Sequence, residues 1–535
     1  MKFKNLLITC SVLIFSFQHS VAQRTNVNFN EHLQKLMTSF QAISQLYVEP
    51  TDEKKIVEDA IRGMLEKLDP HSDYLEAEEA KELTENLDSN FDGIGIQFNM
   101  LTDTLYVIQV ISGGPSEKVG LLAGDRIILV NDTLIAGVNM RNTDIMKRLR
   151  GPRGTEVRVS VKRSGMGDLL EFKITRGRIP IYSIDATYML DAKTGYIRLN
   201  RFAISSTEEF RKAVDTLKKQ GMENLILDLQ GNGGGYLHIA NDMADDFLEK
   251  GKLIVYQQGN RMPKTETLAT EKGVFEKGRL IVLVDESSAS GSEILAGAVQ
   301  DWDRGVIVGR RTFGKGLVQR PLPLPDGSMI RLTVARYYTP SGRFIQKPYT
   351  SGNDREYSRD LIERLNRGEL MSADSIHFPD SLRHSTLLSN RTIYGGGGIM
   401  PDVFIPYDTT RYTDFHRRIS ALGLIIRTAM NYIDVNRKAL NEKYPNIRSF
   451  KNNYNVSEEL MQSLLNLASE EKVEFDEEQY ARSKARLMLH LKALIARDLF
   501  DMNEYFVIIN DDNESLKEAL RLINTPNEYN KILGK

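Results

Sequence analysis

Three short stretches of this chain combine residues able to do covalent chemistry with the glycines needed to expose them. The first is Asp285-Glu286-Ser287-Ser288-Ala289-Ser290-Gly291-Ser292-Glu293, which joins the apolar run 280–284 to a helix-forming run at 294–299. Small residues at a strand-to-helix turn let a hydroxyl project from the end of a sheet. Ser290, at the expected helix start, also faces the positive end of the helix dipole. Taken alone, such serines are more simply read as helix N-caps.

The second stretch is Gly309-Arg310-Arg311-Thr312-Phe313-Gly314-Lys315-Gly316-Leu317-Val318-Gln319, which puts a lysine in a glycine-rich loop. A serine nucleophile needs a base to take its proton. A lysine serves when burial strips water from its ammonium and lowers its pKa toward neutrality. Gln319, four positions on, is placed to hold the amine. The same stretch has the Gly and Gly-Lys spacing of a phosphate loop. Against that reading, Gly316 stands where Ser or Thr would ligate magnesium, and 317–324 is strand-like with two prolines.

The third stretch is Leu227-Asp228-Leu229-Gln230-Gly231-Asn232-Gly233-Gly234-Gly235-Tyr236-Leu237, again a strand end, a glycine loop and a helix start. Backbone amides of Gly234 and Gly235, with that of Gly291, are candidates to hold the oxyanion of an acyl intermediate. In isolation a merely flexible glycine loop is the commoner reading. His238 follows and suggests a Ser–His pair. No acid is clearly placed to orient it and it falls within the helix, so it ranks below Lys315.

The elements that carry these stretches follow from periodicity. Residues 29–86 show helical spacing, broken at Asp69-Pro70-His71-Ser72. His71 in that turn reads as a surface or capping residue rather than a ligand. From Phe91 the period changes to two, and about five short strands with one or two helices span some ninety residues, the pattern of a small, partly open β-barrel. From Ile179 strand alternates with helix: strands at 196–199, 225–229, 253–256, 280–284 and 306–308, helices at 207–219, 237–248 and 290–300. This rhythm predicts an α/β core with a mainly parallel sheet flanked by helices. Residues 351–389 are polar and aperiodic, an insertion or mobile loop. Beyond Thr410 the sequence is helical to its end.

Composition excludes some classes. Of 535 residues, 70 are Lys or Arg and 72 are Asp or Glu, so there is no basic excess for nucleic acid. Lys2 and Lys4, the apolar run 6–17 and Ser20-Val21-Ala22 read as an export leader cut after Ala22. The single cysteine, Cys10, lies inside that leader, and Thr9 is a poor residue before a lipidated cysteine. A mature chain without cysteine has no disulfide, thiol catalysis or cysteine-ligated metal. No later run is long enough to span a bilayer.

Together the three stretches resemble the carboxyl-terminal processing proteases, a serine/lysine peptidase family. The likeness runs from residue 47 to about 406. It includes Tyr47-Val48-Glu49-Pro50, Leu68-Asp69-Pro70-His71-Ser72, the stretch 91–96 and Gly398-Ile399-Met400-Pro401-Asp402-Val403. Ser290, Lys315 and Gln319 match the family's nucleophile, base and orienting glutamine in type and spacing. Gly291 sits where alanine is common, and Gln230 where arginine is common. The small barrel resembles a PDZ domain, with Gly93-Ile94-Gly95-Ile96 as its carboxylate loop, where backbone amides receive a chain terminus.

The resemblance implies a serine endopeptidase that binds exposed C-terminal tails of proteins and cleaves near them, without metal or organic cofactor. The leader adds export, to the periplasm first, with the cell surface or secretion as alternatives. Residue patterns and the resemblance together divide the chain into a leader at 1–22, a helical region at 23–88, a PDZ-like domain at 89–176 and a protease core at 177–349 and 393–408. A polar insertion fills 350–392 and a helical region 409–535. An adaptor protein and a homo-oligomer stay open, and the role of the C-terminal helices is unassigned. The rival reading is a PDZ scaffold of the cell envelope that captures peptides without hydrolysis.

Overall fold

The computed structural model describes residues 29–535, Thr102 excepted; the leader at 1–22, with Cys10, lies outside the described residues. A six-stranded sheet forms the centre, in the order Ile184–Met189, Thr194–Leu199, Asn224–Asp228, Leu280–Val284, Val306–Gly309 and Val403–Phe404. The first pair is antiparallel and the other four pairs are parallel. Near-continuous apolar strands are what a sheet covered on both faces requires. Side chains alternate between those faces. Leu225, Leu227, Leu280, Val282 and Val284 pack with the helices Ser206–Lys219, Leu237–Asp245 and Gly291–Asp301. Ile226, Ile281, Leu283, Val306 and Val308 point the other way.

That second face is covered by the end of the chain. Leu516, Ala519, Leu522 and Ile523 of helix Glu514–Ile523, with Tyr529 and Leu533, are buried against it. The Tyr529 hydroxyl donates to Leu280 O at 2.9 Å. The last helices, whose role the sequence leaves unassigned, are thus a layer of the core, which periodicity alone did not disclose.

The architecture departs from the sequence expectation in a second way. Leu253–Gln258, expected in the parallel sheet, belongs to a separate antiparallel sheet with Asp73–Leu75, Thr265–Leu268, Leu317–Pro323 and Met329–Tyr338. The hairpin 317–338 turns at Pro325-Asp326-Gly327-Ser328, with Gly327 at φ +88° and Leu324 N donating to Ser328 O at 2.8 Å. Proline, aspartate and glycine are the residues such a turn needs, and the tight turn makes the pair antiparallel.

Residues 96–175 form a six-stranded antiparallel sheet with helix Asn142–Leu149 over its own core. No pairing closes its two ends among the described residues. A two-stranded ribbon, Asn90–Gly93 against Gly177–Pro180, joins this unit to the core. The expected loop at 351–389 contains helix Asp354–Asn366, held down by buried Tyr357 and Arg364. The Arg364 guanidinium donates to the carbonyls of Arg311 and Thr312 at 2.7 and 3.1 Å. Buried anchors of this kind leave no apolar period in the sequence. Among the described residues no helix is long and apolar enough to cross a membrane.

Candidate active site

Ser290 stands between strand Leu280–Val284 and helix Gly291–Asp301 with φ +54° and ψ −109°. A non-glycine residue there is strained and persists because its surroundings fix it. The neighbouring serines do the fixing. Ser288 Oγ donates to Leu229 O, and Ser292 Oγ donates to Asn232 O, both at 2.8 Å. Asp285 Oδ1 accepts the amides of Ser287 and Gly231, each at 3.0 Å. The hydroxyls of Ser288 and Ser292 are thus buried and engaged with backbone carbonyls, which separates them from Ser290 as nucleophile candidates.

The glycine loop 230–235 crosses beside this turn. A Cβ on Gly234 would stand 2.8 Å from Gly291 N, and one on Gly235 would stand 2.1 Å from Phe202 O. Both glycines have positive φ, so glycine is required twice over. The Gly234 amide donates to Asn232 Oδ1 at 2.8 Å and therefore already has an acceptor.

Lys315 lies in the loop before strand Leu317–Pro323, and its backbone is clamped on both sides. Glu293 Oε2 accepts Lys315 N at 2.8 Å, and the Tyr337 hydroxyl donates to Lys315 O. Burial first, and the Arg331 guanidinium second, push the Lys315 ammonium down to about 8, against smaller opposing pulls from Glu293 and Asp69. Ser290, Lys315, Gln319 and Gly233–Gly235 line one cavity of about 560 Å³. Leu83 and Leu87 from helix Ala77–Leu87, with Leu317, Pro321 and Met329, give it apolar walls.

Gln319 donates from Nε2 to Leu317 O at 3.3 Å and to Thr333 Oγ1 at 3.4 Å. Thr333 Oγ1 donates onward to Asp69 Oδ1 at 2.9 Å. His238 is exposed on its helix, packs at a tilt against Tyr236 and does not line the cavity. His71 packs edge-on to Tyr357 and bonds its hydroxyl at 2.8 Å; burial and the Lys315 ammonium hold its pKa down to about 3.

Sequence reasoning missed Glu293. It is fully buried and takes four donors: Thr312 Oγ1 at 2.5 Å and Gly314 N at 2.7 Å on Oε1, Lys315 N and Ser290 N at 2.8 and 2.9 Å on Oε2. Burial raises its pKa to about 7 in spite of those bonds. The signal was present as the Ser290-x-x-Glu293 spacing of a capping box. Asp69 and Thr333 were missed too, being far apart in sequence.

Comparison with known proteins gives this geometry its family. Residues 193–353 match the model of peptidase family S41, 93–174 that of the PDZ domain, and 14–79 that of the activating protease CtpB N-terminal domain. Residues 415–501 match a family of unknown function. The chain is 34% identical over 331 residues to the carboxy-terminal processing protease CtpA of Bacillus subtilis, covering 61% of this chain and 69% of that one. It is 33% identical over 346 residues to the carboxy-terminal-processing protease of Bartonella bacilliformis, covering 64% and 78%. This chain belongs to the carboxy-terminal processing proteases of peptidase family S41 and carries a PDZ domain.

Proposed function

We propose that this protease works as a Ser290/Lys315 endopeptidase on proteins whose C-terminal tails its PDZ domain captures, and that it acts outside the cytoplasm. Ser290 Oγ attacks the scissile carbonyl and its proton passes to neutral Lys315 Nζ. The amides of Gly235 and Gly291 take the oxyanion, since the Gly234 amide is engaged by Asn232. The C–N bond then breaks, and the Lys315 ammonium protonates the leaving amine. Water, deprotonated by Lys315, releases the acyl-enzyme. Gln319 orients the lysine, and Gly93-Ile94-Gly95-Ile96 receive the carboxylate of the tail. Export rests on Lys2, Lys4 and the apolar run 6–17.

The observation that carries this reading is that Ser290, Lys315 and Gln319 open onto one apolar-walled cavity. The test is labelling with a tagged serine-reactive phosphonate, together with cleavage of a tail peptide. Labelling and cleavage by the wild type, both lost in Ser290→Ala, support the enzyme. A wild type that binds tails, takes no label and cuts nothing is a scaffold instead.

A further inference from the structure

The glycine loop 230–235 is a thin wall between two cavities. Gly233–Gly235 face the cavity of Ser290, while Gln230 and Gly231 line a second one of about 370 Å³ at the end of the central sheet, lined also by the C-terminal helices. Asn232 and Gly234 in the middle of this wall are buried and closely packed, whereas its start at Gln230 and Gly231 is not buried and depends on hydrogen bonds for its shape. Beyond the bonds of Gly231 to Asp285 and of Asn232 to Ser292, the backbone of Gln230 is anchored by its N–H to Asp228 Oδ1 at 2.8 Å and by Arg198 Nη2 to its carbonyl at 2.8 Å.

The Gln230 side chain adds a further anchor, which comes from the far end of the chain. Asn513 Nδ2 donates to Gln230 Oε1 at 3.0 Å, and Gln230 Nε2 reaches Ser515 Oγ at 3.5 Å. The orientation is dictated. Asn513 caps helix Glu514–Ile523 by accepting Leu516 N on Oδ1, which leaves Nδ2 to face the loop. The cap itself is fixed on the sheet. Leu516 and Leu522 are buried against it, and the Phe506 ring lies 4.7 Å from the Arg198 guanidinium that holds the loop carbonyl.

We infer that Asn513 is a positioning residue for the oxyanion side of the site, acting through Gln230, so that the C-terminal helices belong to the catalytic unit. The inference rests on the proposed role of the Gly235 and Gly291 amides. A loop that drifts weakens the transition state while leaving tail binding intact, because the tail is held elsewhere.

The test uses the full-length enzyme with Asn513→Ser, which keeps a capping oxygen but lacks the N–H, and Gln230→Met, which leaves the cap untouched. Each should lower kcat on a tail peptide about tenfold with KM unchanged, a fraction of the roughly 10²–10³-fold that loss of an oxyanion donor costs. A peptide aldehyde, whose adduct needs the same amides, should lose affinity in parallel. The double variant should lose no more than either single one. Wild-type kcat in Gln230→Met, a loss confined to KM, or additive losses would each overturn the inference while leaving Ser290 labelling intact. A wild type that takes no label and cuts nothing would remove the serine-peptidase reading, and this inference with it.

Discussion

Glu293 Oε2 accepts the backbone N–H of Lys315 at 2.8 Å, tying the proposed base to the helix that follows the proposed nucleophile, Ser290. The same oxygen accepts Ser290 N at 2.9 Å, so one atom fixes the backbone of both residues of the proposed pair. All four partners of this carboxylate act as donors, which favours the ionised form, while burial opposes it and raises its pKa to about 7.

Glu293→Gln puts an NH₂ group where two donors already point. The variant should lose about 1–3 kcal/mol of stability for groups left unsatisfied in the interior. It should also lose about 10²-fold in cleavage rate, as misplacement of reacting groups by an ångström does. Denaturant midpoints and cleavage rates check this. A destabilised variant with an undiminished rate would reduce Glu293 to a prop of the fold.

With the Lys315 ammonium pushed down to about 8, its neutral form grows as pH rises through that value. Activity should therefore climb along a single ionisation centred near 8. Stability follows the same sign. In the unfolded chain the lysine holds its proton up to about 10.4, so the folded state gains stability as pH rises from about 8 to 10.4. Glu293 has the opposite sign: raised to about 7, it adds stability at low pH that is lost as pH rises through 7. Lys315→Ala should abolish activity and flatten the alkaline rise in stability. Lys315→Arg, which cannot release a proton, should be inactive at every pH. An active Lys315→Arg enzyme would falsify the general-base assignment.

Ser290 holds φ +54°, a conformation costing of order 1–3 kcal/mol in a residue with a Cβ. Ser290→Gly relieves that strain and gives back about 0.5–1 kcal/mol in unfolded-state entropy. It should be more stable than Ser290→Ala by about 1 kcal/mol, both being inactive. Equal melting temperatures would mean that the turn is not strained.

Strand Ile96–Leu101 lies at the edge of the PDZ sheet, and Gly95 has φ +77°, so a chain end has both an open edge and a loop of amides to meet. Amidating a substrate tail removes the charge those amides receive. Binding should weaken about ten- to a hundredfold, in line with about 1.5–3 kcal/mol for hydrogen bonds to a charged group. Equal affinity for free and amidated tails, read by titration against Ser290→Ala, would remove terminus recognition.

What could be read from the sequence was whatever sits within a turn or two of its partner. The turn around Ser290, the Lys315 loop and the helix starting at Leu237 are local patterns, and the structure has them where the spacing put them. Glu293 was legible in principle as a capping residue, but its bonds to Gly314 and Lys315 cross two elements. The Asp69–Thr333–Gln319 chain spans 264 residues between its first two members and has no local trace. The strand Leu253–Gln258 was misassigned for a related reason: an apolar period of two gives the element and not its neighbours.

The last helices give the strongest test of how the core is built. An appendage can be removed; a layer cannot. Leu516, Leu522, Ile523 and Leu533 are at most 3% exposed, and each contributes about 1.5–3 kcal/mol when fully buried. Together that is about 6–12 kcal/mol, the size of a domain's whole stability. Truncation after Phe500 removes them and bares Ile226, Ile281, Leu283 and Val308 on the opposite face of the sheet. The truncated chain should be insoluble or bind a hydrophobic dye, and should take no phosphonate label. Leu516→Ala with Leu522→Ala should lower the unfolding midpoint steeply in the full-length protein, at about 2–5 kcal/mol for each substitution. A soluble, cooperatively folded truncation that still takes the label would show that the sheet stands without this layer.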